Sequence, residues 1–378
     1  MLTKIRADAI ISVNKATSEE EKMIKGLLEK RVLQPIGNFG SDEWESVRKE
    51  YIDILCREEY GMPLPAPTKL EFEVVNANKR FAAATATYST IIAHTEILGT
   101  EFSFPFTSVI PNKPGKYPFF VHIDFEAAVP NKYFPAEEIL NNGFAALHFE
   151  FNDVSIDKND MTDKLAGILF PDGKRNGSDS GKIVMWAWAA MRIMDYAMTL
   201  DCLDFDNAAV IGHSRLGKTA LVTGMLDTRF KYVISNDSGC SGAAVTRDKK
   251  GEHIQKITEV FPYWFCENYK NYADESKLTF DQHMLLATIA PRTLIVGSAE
   301  LDEWADPDAE YLSCCAASKA WENLGLTGFV HPDRLPTAES VFSKGNVCYQ
   351  IRNDGHYLSR RDWNVYFNII KNKMINNK

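Results

Sequence analysis

The sequence predicts an α/β protein: a three-layer sandwich around a mostly parallel central sheet, with antiparallel strands ahead of it and an N-terminal helical extension. Three observations predict this. Beyond position 111, short apolar runs alternate with longer stretches of helical periodicity, and strands separated by helices pair in parallel. Between Leu70 and Ile110 the period is two and no helical pattern intervenes, which reads as antiparallel hairpins. Before Tyr60 the chain is polar, charged and helical in spacing.

Taken in order, Thr17 to Tyr60 holds two Glu-rich clusters, one at Glu19–Lys22 and one beginning at Asp42, read as surface helices without catalytic content. Ser41 or Asp42 is the expected N-cap of the second, with Trp44, Val47, Tyr51 and Leu55 on one face. Pro63, Pro65 and Pro67 break the pattern. Half-buried strands are expected from Leu70 to Val75, within Phe81 to Ile97, and from Phe102 to Ile110. Further strands are expected at Tyr117–Ile123, Phe144–Phe151, Ala208–Ile211, Tyr232–Ser235, Arg292–Val296 and Val347–Ile351. Helices are expected at Pro135–Asn141, Lys182–Met198, Leu216–Leu226, Pro307–Leu324 and Arg361–Lys373. No repeat or low-complexity linker appears. The simplest division is a helical extension over 1–65 and one domain over 66–378.

Composition narrows the function. Hydrophobic residues at 45% and charged residues at 25% are the balance of a soluble globular chain. A formal net charge of -9 argues against a nucleic-acid partner, whose electrostatic footprint is basic. No apolar stretch reaches the ~20 residues that span a bilayer, so no membrane partner is expected. Seven cysteines are scattered without C-x-x-C spacing and read as free thiols, which favours a reducing compartment. The N-terminal residues lack an apolar signal core, so the expectation is a cytoplasmic protein, or a secreted one whose signal has been removed.

The chemistry gathers at Ala208–Leu221, where an apolar run enters a glycine-flanked turn and then a helix start. Gly212 to Thr219 spells G-x-x-x-x-G-K-T, the P-loop pattern that cradles phosphates. Its variable positions all carry side chains, and no magnesium-binding acid is clearly marked. The same turn also suits a strand–turn–helix elbow with Ser214 as an exposed nucleophile. That reading needs an acid and then a histidine further along the chain. Asp237 follows the strand ending at Ser235, Asp302 follows the strand ending at Val296, and His356 sits in a glycine-bearing loop after the last strand. Ordered Ser, Asp and His, each just past a strand, favour an α/β-hydrolase. One departure stands out: the usual elbow is G-x-S-x-G, and here Leu216 precedes the second glycine, Gly217.

With that departure, Gly212-His213-Ser214-Arg215-Leu216-Gly217-Lys218 resembles the serine motif of the glucuronoyl esterases, carbohydrate esterase family 15, particularly the bacterial branch. The tryptophan-bearing segment Met185–Tyr196, the segment Ser235–Ala244, Gly251-Glu252, Ser298–Pro307 and Gly355-His356 are similar too. The resemblance covers about Phe102 to Trp363 and leaves out the N-terminal helices.

The resemblance implies a serine esterase cleaving esters of (4-O-methyl-)glucuronic acid, such as those joining glucuronoxylan side chains to lignin alcohols, without metal or organic cofactor. Ser214 is the expected nucleophile and His356 its general base. Asp302, in the ordinary hydrolase placement, is favoured as the acid; Asp237, where the family usually has glutamate, is the alternative or a supporting carboxylate. The backbone N–H of Arg215, next after the nucleophile, is the expected oxyanion donor, and the family adds its side chain. Lys218, Glu252 and Trp304 match family positions that hold the sugar. Trp186 and Trp188 are expected to pack in the core, and His213 is given no role. A related carbohydrate esterase such as an acetyl-xylan deacetylase is the alternative function.

Overall fold

Strand alternation sorts the chain into layers. From the fourth predicted strand onward, alternate residues enter different cores: Phe119, Val121, Leu147, Val210, Val233 and Leu294 face one side, while Phe120, Ala146, Ala209, Ile234 and Ile295 face the other. Side chains of a strand point alternately to opposite faces, so such strands must be covered on both. That is the three-layer arrangement.

A computed structural model describes residues 23–376 of the chain. Ten strands form one sheet: β1 (Lys69–Arg80), β2 (Ala86–Ile97), β3 (Thr100–Pro111), β4 (Tyr117–Asp124), β5 (Ala145–Glu150), β6 (Leu203–His213), β7 (Tyr232–Asn236), β8 (Thr293–Ala299), β9 (Val341–Phe342) and β10 (Val347–Arg352). Their spatial order is β1-β2-β3-β5-β4-β6-β7-β8-β10-β9. The run from β5 to β10 is parallel, and β1, β2 and β3 join antiparallel at one side. This is the α/β-hydrolase fold. Helices α1 (Ile24–Arg31), α2 (Trp44–Leu55), α3 (Lys182–Ala197), α4 (Arg215–Leu226) and α5 (Pro307–Ala317) contribute to the larger core. Helix α6 (Arg360–Asn376) supplies Trp363, Tyr366 and Phe367 to the core on the other face. Among the described residues no helix is long and apolar enough to cross a membrane.

Helix α3 is apolar nearly all round because it is covered nearly all round; Trp186 and Trp188 are buried in it. The Trp186 indole donates to the Ser155 carbonyl at 2.8 Å, and Trp188 packs on Phe102 and Phe104.

Three local expectations need correction. The first strand is not half-buried: β1 is the sheet edge, and Val74 and Val75 are exposed. The helix expected from Pro307 to Leu324 is broken at Ser318, whose hydroxyl accepts from Phe329 N–H at 2.8 Å. The N-cap position of helix α2 is Glu43 rather than Ser41 or Asp42, and no side chain caps the helix there: the Glu43 carboxylate accepts from Gly40 N–H at 2.7 Å instead. The Glu19–Lys22 cluster lies outside the described residues.

Nor are α1 and α2 mere surface helices. The amphipathic face read from the sequence joins the main core through Trp44 and Leu55, with Val47 and Tyr51 against it. The Trp44 indole donates to the Ala290 carbonyl at 3.2 Å. Arg48 reaches the Thr288 and Met225 carbonyls at 2.8 and 2.6 Å. These bonds tie the extension to the back of α4 and to the segment before β8.

Trp44→Ala should therefore destabilise the whole protein, by about 3–5 kcal/mol, in urea unfolding. A loss below about 1 kcal/mol would show that the extension packs on the domain without being part of its core.

Candidate active site

The site forms where parallel strands β6, β8 and β10 end. β6 runs into Ser214, which adopts φ 57° and ψ −126°, and α4 begins at the next residue. A non-glycine residue rarely takes positive φ, and here three close approaches impose it. A Cβ at Gly212 would lie 2.1 Å from the Leu216 carbonyl oxygen. A Cβ at Gly217 would lie 3.1 Å from the Asn236 carbonyl oxygen, the Ser235 Oγ and the Ser238 Cβ. Ser214 N–H itself donates to the Asn236 carbonyl at 2.8 Å. The late second glycine is thus the one that lets α4 lie on β7, while Leu216 turns into the core.

Ser214 occupies the N-cap position without capping: its side chain makes no cap hydrogen bond. The phosphate-cradle reading fails on the same geometry. The segment is a one-residue turn rather than an open loop. The Thr219 hydroxyl donates within the helix to the Arg215 carbonyl at 3.0 Å, and the Lys218 ammonium donates to the Ser238 carbonyl.

Ser214, Arg215, Lys218, Asp237, Glu252, Asp302, Trp304 and His356 line one cavity of about 340 Å³. Every site residue expected from the sequence is brought to it. His356 Nδ1 lies 2.6 Å from Asp302 Oδ2. Burial alone would raise the Asp302 carboxyl, but the hydrogen bond and charge of His356 outweigh it and hold the group below its ordinary range.

Asp237 is placed differently. It is fully buried and its Oδ2 accepts from Arg352 Nη2 at 2.8 Å and from Tyr357 N–H at 3.2 Å, next to His356 in the chain. Burial pushes its carboxyl up, against the pull of the Arg352 guanidinium. Arg352 also holds Asp362 at 3.0 Å and the Gly355 carbonyl, so this pair anchors the His356 loop on α6.

Lys218 is buried, and desolvation lowers its ammonium while the charge of Glu252 opposes that shift. Glu252 N–H donates to the Trp304 carbonyl at 3.1 Å. Gly251, at φ +69°, permits this approach, since a Cβ there would lie 2.3 Å from the same oxygen. Trp304 is 54% exposed at the rim, an apolar face beside buried charge.

Several neighbours escaped the sequence reading. The Arg215 guanidinium lies over the Trp264 ring at 4.7 Å and donates to Asp157. Phe261 and Trp264 also line the cavity. His213, left without a role, contacts the His356 ring at a centroid separation of 4.5 Å and pairs with Asn236 at 2.7 Å. Burial, with the neighbouring His356 charge, lowers its imidazole to about 3, so it stays neutral. Among the described residues two His/Asp groups have metal-like spacing, His122 with Asp124 and His148, and His213 with Asp237 and His356. Both carboxylates are already engaged: Asp124 Oδ2 accepts from His148 at 2.9 Å and Asn131 at 2.7 Å, and Asp237 is held by Arg352.

The family described as "Glucuronyl esterase, fungi" matches residues 94–325. Carbohydrate esterase MZ0003, from an unknown prokaryotic organism, is 42% identical over 195 residues, which is 51% of this chain and 45% of that protein. The 4-O-methyl-glucuronoyl methylesterase of Podospora anserina is 27% identical over 75% of this chain and 57% of its own length. The chain thus spans about half the length of these curated relatives. Among solved structures, a glucuronoyl esterase from Solibacter usitatus is 28% identical with a TM-score of 0.81, covering 88% of this chain and 94% of that one.

One consequence follows from His213 alone. Its folded-state value near 3 lies below the ordinary ~6.5, so between those values the unfolded chain binds the extra proton. Its contribution to stability should fall as pH is lowered through that window, by up to ~1.4 kcal/mol per unit. Urea titrations of wild type and His213→Asn from pH 7 to pH 4 check this, the variant showing the shallower decline; equal slopes would contradict a neutral buried imidazole.

Proposed function

The chain belongs to the glucuronoyl esterase family, and from that premise we propose that it hydrolyses esters of (4-O-methyl-)glucuronic acid, through Ser214, His356 and Asp302. The observation that carries the reading is one cavity lined by a strained, uncapped Ser214 and by His356, with His356 Nδ1 hydrogen-bonded to Asp302. That arrangement orients an imidazole whose other nitrogen is available to the serine.

His356 takes the Ser214 proton as Oγ attacks the uronoyl carbonyl. Negative charge builds on the carbonyl oxygen. Arg215 opens α4, so its N–H has no intrahelical acceptor and serves that oxyanion. Its guanidinium adds a second, charged donor. In this fold the other backbone donor usually comes from the loop after an earlier strand. Here Phe125, the first residue past β4, turns its N–H to Asp124 Oδ1 at 2.6 Å, which leaves that task to the arginine. The intermediate collapses as His356 protonates the departing alcohol. Water deprotonated by His356 then attacks the acyl-enzyme, the Ser214–acyl bond breaks, and free uronate leaves while Ser214 regains its proton.

Lys218 and Glu252 are the proposed ligands of the sugar hydroxyls, and Trp304 the apolar face against the ring. The natural bonds would be those linking glucuronoxylan side chains to lignin alcohols, and no cofactor takes part. Asp237 supports the site through Arg352 rather than by orienting His356.

Benzyl glucuronate should be hydrolysed in preference to acetylated xylan, and Ser214→Ala should lower kcat on it by at least ~10⁴-fold. Dominant release of acetate would replace the uronate assignment with an acetyl esterase; unaltered turnover in the variant would remove the nucleophile. The two acids should separate cleanly. Asp302→Asn should cost ~10³–10⁴ in kcat with little change in stability. Asp237→Asn should instead lose about 1–3 kcal/mol in urea unfolding, since it removes one of the two carboxylates that hold the buried Arg352 and leaves Asp362 as the other. The reverse pattern would exchange their roles.

A further inference from the structure

We propose that Asp157 and Trp264 form a clamp that aims the Arg215 guanidinium at the developing oxyanion, which makes both of them positioning residues for the reaction. The inference rests on the reading of Ser214 and Arg215 given above. Arginine side chains are long and rotamer-rich, and a guanidinium stabilises a transition state only if it is already in place. Here it is held on two sides. Its central carbon lies over the Trp264 indole, 4.7 Å from the ring centroid, and Trp264 is itself stacked flat on Phe261, 3.8 Å away and 1° from parallel. Its Nη1 donates to Asp157 Oδ2.

The two oxygens of Asp157 divide the work. Oδ1 accepts from the Trp264 indole at 2.7 Å and from the Tyr263 hydroxyl at 3.0 Å, so the carboxylate fixes the platform as well as the cation resting on it. Tyr263 and Trp264 come from one short helical turn, Pro262–Trp264. Asp157 comes from the loop after β5, 58 residues before Arg215. Three distant segments thus converge on one guanidinium. Arg215 Nε is buried with no hydrogen-bond partner, so the clamp does not engage every donor of the fork. A carboxylate that only balanced charge would need neither the indole bond nor the stacked ring.

The division of oxygens gives a selective variant. In Asp157→Asn the amide oxygen can keep the Tyr263 and Trp264 bonds, while an amide NH₂ replaces the acceptor for Arg215. With benzyl glucuronate, Arg215→Gln should lower kcat by ~10²–10³. Asp157→Asn should lower kcat roughly 10- to 100-fold with KM within about twofold and unchanged thermal unfolding. The double variant should be no slower than Arg215→Gln by more than about threefold, because the clamp acts only through the arginine.

Normal kcat in Asp157→Asn beside a slow Arg215→Gln would overturn the clamp alone. So would losses that multiply in the double variant. Normal kcat in Arg215→Gln would overturn the oxyanion role beneath it, and the clamp with it. If Asp157→Asn does not fold, Trp264→Leu carries the same test: its kcat should fall, and the loss should vanish in an Arg215→Gln background; an unchanged kcat overturns the clamp.

Discussion

The site depends on a backbone constraint at Ser214, where β6 must become α4 within a single residue. Positive φ at a serine costs on the order of 1–3 kcal/mol, and it persists because its neighbours leave no room to relax. Gly212 admits the Leu216 carbonyl, Gly217 admits β7, and the Ser214 N–H is tied to Asn236. The result lifts the hydroxyl out of the capping geometry that a serine before a helix normally adopts, and sets Arg215 where its N–H has no helical acceptor.

Around that turn, charge is sorted by burial. Two aspartates flank the site, and their environments separate them. Asp302 keeps its hydrogen bond to His356 and is held below its ordinary range. Asp237 sits beneath, fully buried, and spends its Oδ2 on Arg352 and the Tyr357 N–H. One faces His356 and the other fixes the loop that carries it. Lys218 repeats the logic: burial weakens its hold on a proton, while Glu252 and the Ser238 carbonyl favour keeping it.

Much of this was legible in the sequence, and the exceptions share a cause. Strands with apolar faces on both sides, such as Tyr117–Asp124 and Tyr232–Asn236, announce themselves because burial on two faces demands continuous apolar runs. That Ser214, Asp302 and His356 meet in one cavity was readable because each follows a strand in a fixed order. Asp157, Trp264 and Arg352 were not. The partners that tie them to the site, Arg215 for the first two and Asp237 for the third, lie far away in the chain, and a polar loop such as Phe151–Asp163 carries no period to mark one carboxylate among several. The edge position of β1 was hidden for a related reason: alternation reports a strand, and only its neighbours decide how much of it is covered. The relation of α2 to the core was half visible, since its apolar face was plain but its docking partner was not.

The most direct measurement of the central claim is the mass of the covalent intermediate. His356→Ala, mixed with benzyl glucuronate, quenched in acid and digested, should carry a uronoyl group on the peptide containing Ser214, because attack without the general base is slow but deacylation is slower still. An adduct on a different residue, or benzyl alcohol released with no adduct on any peptide, would contradict the assignment of Ser214 as the nucleophile.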